Sequence, residues 1–243
     1  MIIAPVPRKS LGDSLYEQLR DAIVDGTIAP GDALPSEREL AEQAGVNRQS
    51  VREATQRLRR ARLVTIVHGG GAYARNWRTE TDVAVLPELV VDAAGNVRFE
   101  PTMALLRLRL AVGTDTALLA ARHCTPDAAT ELRAAIAALQ ALHVPAEGDT
   151  AEGVMAFEAV WTVLARASQN LAYRLSQATF RAATERLAPT LRPVRRAPDR
   201  ALLHSYEQLV EAVVGHDDAA ATRLAREVLL ASGRGLELLA GPS

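Results

Sequence analysis

The sequence is poor in the residues that build disulfide frameworks, metal clusters and aromatic cores. Its 243 residues include a single cysteine, Cys124, which rules out an internal disulfide and any metal cluster held by several cysteines. Aromatic residues make up 4% of the chain, so the core must consist mainly of Ala, Leu and Val, a composition that favours helices over sheets. The hydrophobic fraction of 48% excludes wholesale disorder.

Long hydrophobic runs are also missing. No stretch approaches the ~20 apolar residues that a membrane span needs, because charged residues interrupt the longest runs. The apolar start of the chain is short and is broken by Pro5 and Pro7, so it lacks the pattern of a signal peptide. We therefore expect a soluble, cytoplasmic protein without a membrane partner.

The overall balance of charges conceals a local excess of one sign. The formal net charge is −1, from 28 Lys and Arg residues against 29 Asp and Glu residues. Between Asn47 and Arg62, however, six arginines accompany one acidic residue, Glu53. Such a basic cluster attracts a phosphate backbone, and the alternative is a solvated helix face.

Residues 36–60 have the pattern of two helices joined by a short turn. Ser36 and Glu39 form a capping box that begins the first helix, Gly45 ends it, and Asn47 caps the second. At about 100° per residue, the second helix carries a polar stripe beside an apolar one, which is the layout of a recognition helix in a helix-turn-helix. The polar stripe consists of Arg48, Arg52, Thr55 and Arg59, and the apolar stripe of Val51, Ala54 and Leu58.

Residues 62–75 predict a β-hairpin after the helix-turn-helix, which makes the N-terminal region a winged helix. A β-branched run at 62–67 and a second short run at 72–75 flank a turn of His68 and three glycines. Glycine at the tip of such a wing lets the backbone approach a groove closely. A loop that cradles a nucleotide phosphate is the alternative, but no Lys-Ser or Lys-Thr pair follows these glycines.

The rest of the chain divides into a linker and a helical region. Residues 77–100 contain Pro87 and a Gly95-Asn96 turn, which indicate a linker. The expected fold class is mainly α, with an N-terminal winged helix-turn-helix domain (1–76), the linker (77–100) and a C-terminal all-α helical bundle (101–243). Besides the two helices of the helix-turn-helix, the pattern predicts helices at 10–25, 103–122, 126–142, 152–167, 170–187, 199–214 and 217–239.

Two stretches of the N-terminal region resemble the signature of the GntR family of bacterial transcription regulators. They are APGDALPSERELA at residues 29–41 and GVNRQSVREA at residues 45–54. The C-terminal region is similar to the FadR branch of that family, through Arg109 and the sequences LLAA at 118–121, ASQN at 167–170 and GHD at 215–217. The resemblance implies a homodimer that binds a short palindromic operator in double-stranded DNA, with an effector domain that binds a small molecule and holds the dimer together.

The resemblance also implies which residues contact DNA. They are Arg38, Asn47, Arg48, Gln49, Ser50, Arg52, His68 and Gly69. For Arg48 and Arg52 the chemistry points the same way, because arginine is the natural bidentate partner of guanine. His68 is alternatively an exposed residue of the turn.

Many members of this branch hold a metal in the effector domain through one Asp and three His ligands. The resemblance places these four positions at Phe157, Trp161, Tyr206 and Val228. None of them offers the imidazole or carboxylate that a first-row metal needs. His204 is no substitute, because a shift of two residues along a helix turns the side chain by about 200°. We therefore predict no metal and no cofactor.

A cavity lined by Phe157, Trp161, Tyr206 and Val228 would be apolar and would suit an acyl chain. In this respect the sequence resembles the fatty-acid-responsive members of the branch, which lack the metal and bind long-chain acyl-CoA. Arg109 is the candidate anchor for a carboxylate, and its alternative is a structural ion pair within the bundle. An effector domain with a filled core and no ligand, or one that senses a small organic acid, is also compatible with the sequence.

The expected function is a transcription regulator whose affinity for its operator is controlled by an effector. Such an effector would bind the state in which the two winged helices have the wrong spacing. An enzyme is not expected, because the sequence offers no activated nucleophile, no metal set and no close carboxylate pair. Ser168 and Ser232, for example, lack an evident histidine partner.

Overall fold

A computed structural model of the chain describes residues 11–141, 151–191 and 200–240. The chain divides into two compact units, and the division falls between Asn96 and Val97. The first unit is a winged helix-turn-helix and the second is a bundle of helices, so the predicted fold class is confirmed. Three predicted helix termini lie outside the described residues, at Ser10, Leu142 and Asp199. The start of the chain, with Pro5 and Pro7, also lies outside them.

The first unit begins with three helices and a two-stranded antiparallel sheet. These are α1 (Leu11–Val24), α2 (Glu37–Ala44), α3 (Arg48–Arg60), β1 (Val64–Val67) and β2 (Gly71–Ala74). In the hairpin, Val64 pairs with Ala74 and Val67 with Gly71. The capping box forms as predicted, because the Ser36 backbone N–H donates to Glu39 and the Glu39 N–H donates to Ser36 Oγ. Gly45, with φ of 63°, then ends α2 in the left-handed conformation that glycine favours.

The segment predicted as a linker is folded within the first unit up to Asn96. It contains α4 (Trp77–Glu80), a 3₁₀ turn at Val83–Val85, and α5 (Leu86–Leu89). Val85 and Leu89 are buried in the core of this unit, together with residues of α1 and α3. The apolar side chains of this segment thus pack inward, although no single helix in it is long enough to produce a clear periodic pattern.

The described part of the second unit contains six helices. They are α6 (Phe99–His123), α7 (Pro126–Ala141), α8 (Ala151–Ala167), α9 (Leu171–Leu191), α10 (Arg200–Val214) and α11 (Asp218–Ala240). Each corresponds to a predicted helix, and α6 begins one turn before the predicted start at Met103. Within the described ranges, no helix combines the length and the apolar character that crossing a bilayer requires.

Close approach between helices of the second unit depends on Gly113 of α6. A Cβ atom built at Gly113 would lie 2.7 Å from Leu229 Cδ1 of α11 and 3.3 Å from a ring carbon of Trp161 of α8. Glycine therefore lets three helices meet around the Trp161 indole. This places the aromatic side chains of α8 and α10 in the middle of the bundle.

Candidate nucleic-acid interface and effector domain

Helix α3 presents an arginine stripe to solvent over an apolar stripe that is buried. Val51, Ala54 and Leu58 are at most 1% exposed, whereas Arg48, Arg52 and Arg59 are exposed. The apolar residues anchor α3 in the core of the first unit and fix which side of the helix faces outward. Guanidinium groups along the first turns of a helix can donate to base edges and to phosphates.

The predicted DNA-contacting residues at the start of α3 have two kinds of environment. Asn47 is the N-cap, and its Oδ1 accepts a hydrogen bond of 2.8 Å from the Ser50 backbone N–H. Arg48 is exposed, and within the described part of the chain it makes no ion pair and no side-chain hydrogen bond. Gln49 donates through Nε2 to Glu53 at 2.9 Å. Arg48 is thus available to a ligand at this end of α3 without breaking a contact.

The other two predicted arginines are paired with carboxylates. Arg38 lies 3.6 Å from Glu42 on α2, and both side chains are about two-thirds exposed. Arg52 donates through Nε to both carboxylate oxygens of Glu37, at 2.9 and 3.1 Å. The Glu37 partner was missed by sequence analysis, and the signal for it is the acidic residue that directly precedes Arg38 in the SERE sequence.

The wing places His68 and Gly69 at its exposed tip. Gly69 and Gly71 have φ of 74° and 94°, which a side chain would strain, so the two glycines allow the tight turn. The base of the wing is held by the extended segment before α2, where the Leu34 N–H donates to the Ala72 carbonyl at 2.8 Å.

A cleft of about 160 Å³ lies between the start of α2, α3 and the wing, and Arg52 and Glu37 line it.

Two arginines of the predicted basic cluster serve contacts within the first unit. Arg57 lies 4.0 Å above the ring of Tyr16 and pairs with Asp13, both on α1. Arg62 pairs with Asp82 at 2.9 Å. The basic cluster is therefore divided between an outward stripe and internal ion pairs, which a count of charges along the sequence does not distinguish.

In the second unit, the four positions of the family's metal ligands come together and form part of the core. Phe157, Trp161, Tyr206 and Val228 are all at most 8% exposed. The Phe157 and Tyr206 ring centroids are 4.8 Å apart, and Trp161 Nε1 donates to the Tyr206 oxygen at 3.0 Å. These side chains offer a metal one phenol oxygen and no imidazole or carboxylate, so they do not fit the metal that the family resemblance implies.

Arg109 is neutralised by a buried carboxylate, Glu158 of α8. Its Nη1 lies 2.7 Å from Glu158 Oε1, and the Glu158 side chain is 3% exposed. Gln177 donates to the other oxygen of Glu158 at 2.8 Å, and the Thr184 hydroxyl donates to Oε1 at 3.0 Å. The structure therefore contains an ion pair at Arg109, and the role of Arg109 as an effector anchor stays a prediction. Glu158 was missed by sequence analysis, and its signal is a single acid in the apolar stretch AFEAVW.

The Trp161–Tyr206 hydrogen bond and the Arg109–Glu158 ion pair belong to one polar cluster of the second unit. We define this polar cluster as Arg109, Glu158, Trp161, Gln177, Thr184 and Tyr206. Burial raises the pKa of the Tyr206 phenol, and the positive charge of Arg109 acts in the opposite direction. The phenol is therefore neutral at physiological pH and accepts the Trp161 hydrogen bond. A buried polar network whose hydrogen bonds are satisfied in this way rigidifies the core around it.

Comparison with known sequences finds relatives for both units. The family model for bacterial regulatory proteins, gntR family, matches residues 11–73, and the model for the FCD domain matches residues 104–231. The chain is 30% identical to the HTH-type transcriptional regulator Mce2R of Mycobacterium tuberculosis, over 94% of this chain and 92% of that protein. It is 34% identical to an uncharacterized HTH-type transcriptional regulator of the same species, over 72% of this chain and 68% of that protein.

A solved structure shares the fold. Lar, described as controlling the expression of the Listeria monocytogenes agr system, matches with a TM-score of 0.60 and 15% identity, over 96% of this chain and 100% of that chain. At this level of identity the likeness concerns the fold alone.

Proposed function

Because this chain belongs to the gntR family of bacterial regulatory proteins and carries an FCD domain, we propose that it reads a palindromic operator as a homodimer, with one winged helix in each half-site. The chain is a DNA-binding transcriptional regulator of this family, and its FCD domain is an effector-binding domain. Family and relatives are transcriptional regulators and not enzymes. The observation that carries the proposal is the exposed arginine stripe of α3 over its buried apolar stripe.

The proposed contacts fall into base reading and backbone positioning. Arg48 and Arg52 lie one helical turn apart on the outward face of α3, where they can read guanines in the major groove. Arg38 on α2 faces a phosphate, and His68 at the wing tip enters the adjacent minor groove. The remaining proposed contacts, at Asn47, Gln49, Ser50 and Gly69, position the backbone of the protein on the duplex.

Operator selection tests this proposal directly. The purified protein is incubated with a pool of random-sequence duplexes, and bound DNA is recovered and sequenced over several rounds. We expect an inverted repeat whose half-sites are centred about one helical turn apart. Enrichment of a single unrepeated site would contradict the dimeric arrangement, and no enrichment at all would contradict sequence-specific binding.

For the effector, we propose a small carboxylate that replaces Glu158 on Arg109. The polar cluster supports this choice, because it supplies a guanidinium with a hydroxyl and an amide around it. A fatty acyl-CoA, which the family resemblance suggests, would need space where Phe157, Trp161 and Tyr206 now pack against one another. The same packing supports a second candidate, a regulator whose effector domain is filled and takes no ligand.

A further inference from the structure

The Arg52–Glu37 ion pair joins a proposed base-reading residue to an acidic residue of another helix. Glu37 is the first residue of α2, and its side chain is 46% exposed, whereas that of Arg52 is 60% exposed. Both line the cleft between α2, α3 and the wing. A carboxylate on a DNA-facing surface repels phosphates, so Glu37 lowers the affinity for DNA unless its contact with Arg52 offsets the repulsion.

Glu37 contacts the Nε side of the Arg52 guanidinium, and the Nη1 and Nη2 edge that can read a base stays free. Both contacts of 2.9 and 3.1 Å are made by Arg52 Nε. Within the described part of the chain, the terminal Nη1 and Nη2 groups of Arg52 make no hydrogen bond. These two nitrogens form the fork that matches O6 and N7 of guanine. Glu37 therefore fixes the orientation of the guanidinium without competing for its reading edge.

The charge of Arg52 is cancelled in the same contact. A free arginine at the interface binds any phosphate and releases a counterion, which adds affinity for every sequence alike. A neutralised arginine adds little of that affinity and contributes mainly where a base offers matched acceptors. Arg48, which has no such partner among the described residues, differs from Arg52 in this respect.

We infer that Glu37 is a positioning residue that sets the base specificity of the protein by holding and neutralising Arg52. This inference rests on the proposed function, because it requires Arg52 to face the operator. The alternative is that the ion pair only joins α2 to α3 and has no effect on base specificity. Exposed ion pairs of that kind contribute little to stability.

Three substitutions at Glu37 separate its charge from its reach. Glu37→Gln keeps an acceptor at the same distance and removes the charge, Glu37→Asp keeps the charge on a shorter side chain, and Glu37→Ala removes both. Glu42→Gln is the matched control, because it removes one negative charge from the same helix without touching Arg52. Affinities for the selected operator and for a random duplex are measured by fluorescence anisotropy over a range of salt concentrations.

We expect Glu37→Ala to lower the ratio of operator affinity to random-duplex affinity about tenfold, since misorientation forfeits much of a bidentate contact. Glu37→Asp lowers the ratio without tightening random binding. Glu37→Gln and Glu37→Ala tighten random binding a few-fold and steepen the salt dependence by about one unit of slope. Glu42→Gln changes both affinities alike and leaves the ratio unchanged.

The inference is overturned if the Glu37 variants keep the wild-type ratio within about twofold, or change it no more than Glu42→Gln does. It is also overturned if Glu37→Ala still lowers the ratio in an Arg52→Ala background, because Glu37 would then act without Arg52. Failure of the proposed function itself looks different, since the unmodified protein would then show no preferred operator. Thermal unfolding of each variant without DNA reports any loss of folding separately.

Discussion

Arg48 is the residue on which base reading depends most directly in the proposed complex. It lies at the first position of α3, next to backbone N–H groups that are not used within the helix. Its guanidinium is exposed and free of partners within the described residues, so no internal contact has to break when it meets a base. Arg52 and Arg38, by contrast, form ion pairs with carboxylates of α2.

Replacing Arg48 with Ala should weaken operator binding by ~1–3 kcal/mol, roughly 5- to 150-fold, because a bidentate contact to one base pair is lost. Binding to a random duplex should weaken far less. The control is Arg60→Ala, which removes one exposed arginine from the same helix on a different face. Equal losses on operator and random DNA would show that Arg48 contacts phosphate and reads no base.

At the scale of elements, short-range signals in the sequence were sufficient to predict the helix-turn-helix. Caps and stripes act within one or two turns, so Ser36, Glu39 and Asn47 could be recognised from spacing alone. Glu37 pairs with Arg52 across 15 positions of the sequence, and Glu158 pairs with Arg109 across 49. Such distant pairs leave no signal in the spacing of residues, so the sequence alone indicates that each glutamate is exposed to solvent.

The folded segment that follows the wing was also beyond prediction, because its helices are too short for a periodic pattern. Its position depends on distant contacts with α1. The Tyr16 hydroxyl donates to Glu88 Oε2 of α5 at 2.8 Å, and the Ala93 N–H donates to Asp21 at 2.6 Å. Since Arg57 of α3 packs over the Tyr16 ring, α1 connects this segment to α3, the proposed recognition helix.

Tyr16→Phe should loosen this segment while leaving α2 and the wing unchanged. The substitution keeps the ring under Arg57 and removes one hydrogen bond to a carboxylate, a loss of about 1.5–3 kcal/mol. Hydrogen exchange followed by mass spectrometry should show faster exchange in peptides that cover residues 86–93. Tyr73→Phe is the control, because the Tyr73 hydroxyl on β2 makes no hydrogen bond in the described residues. Faster exchange throughout the first unit would contradict a local role.

For the whole molecule, regulation requires that the two units influence each other's binding. An effector of the FCD domain changes operator affinity only by the difference between its affinities for the two states of the protein. The reciprocal effect is obligatory, so operator binding must change the affinity for the effector by the same factor and in the same direction. The buried Arg109–Glu158 pair is the element whose two arrangements would differ, closed on itself or opened around a ligand.

The exchange of a ligand carboxylate for Glu158 can be tested without leaving a buried charge unpaired. Removing one partner of a buried pair costs about 3–5 kcal/mol and endangers folding. The double variant Arg109→Gln with Glu158→Gln keeps the cluster neutral, and should abolish binding of the small carboxylates to which the unmodified protein responds in calorimetry.

Glu185→Gln is the control for general charge, since Glu185 pairs with Arg181 on the surface of α9 and has no contact with Arg109. If every folded variant and the unmodified protein fail to bind any small carboxylate, the filled effector domain is the better description. An acyl-CoA mass retained by the protein in native mass spectrometry would instead require Phe157, Trp161 and Tyr206 to separate. The Trp161–Tyr206 hydrogen bond would then have to open, and a change in tryptophan fluorescence on removing the lipid would report it.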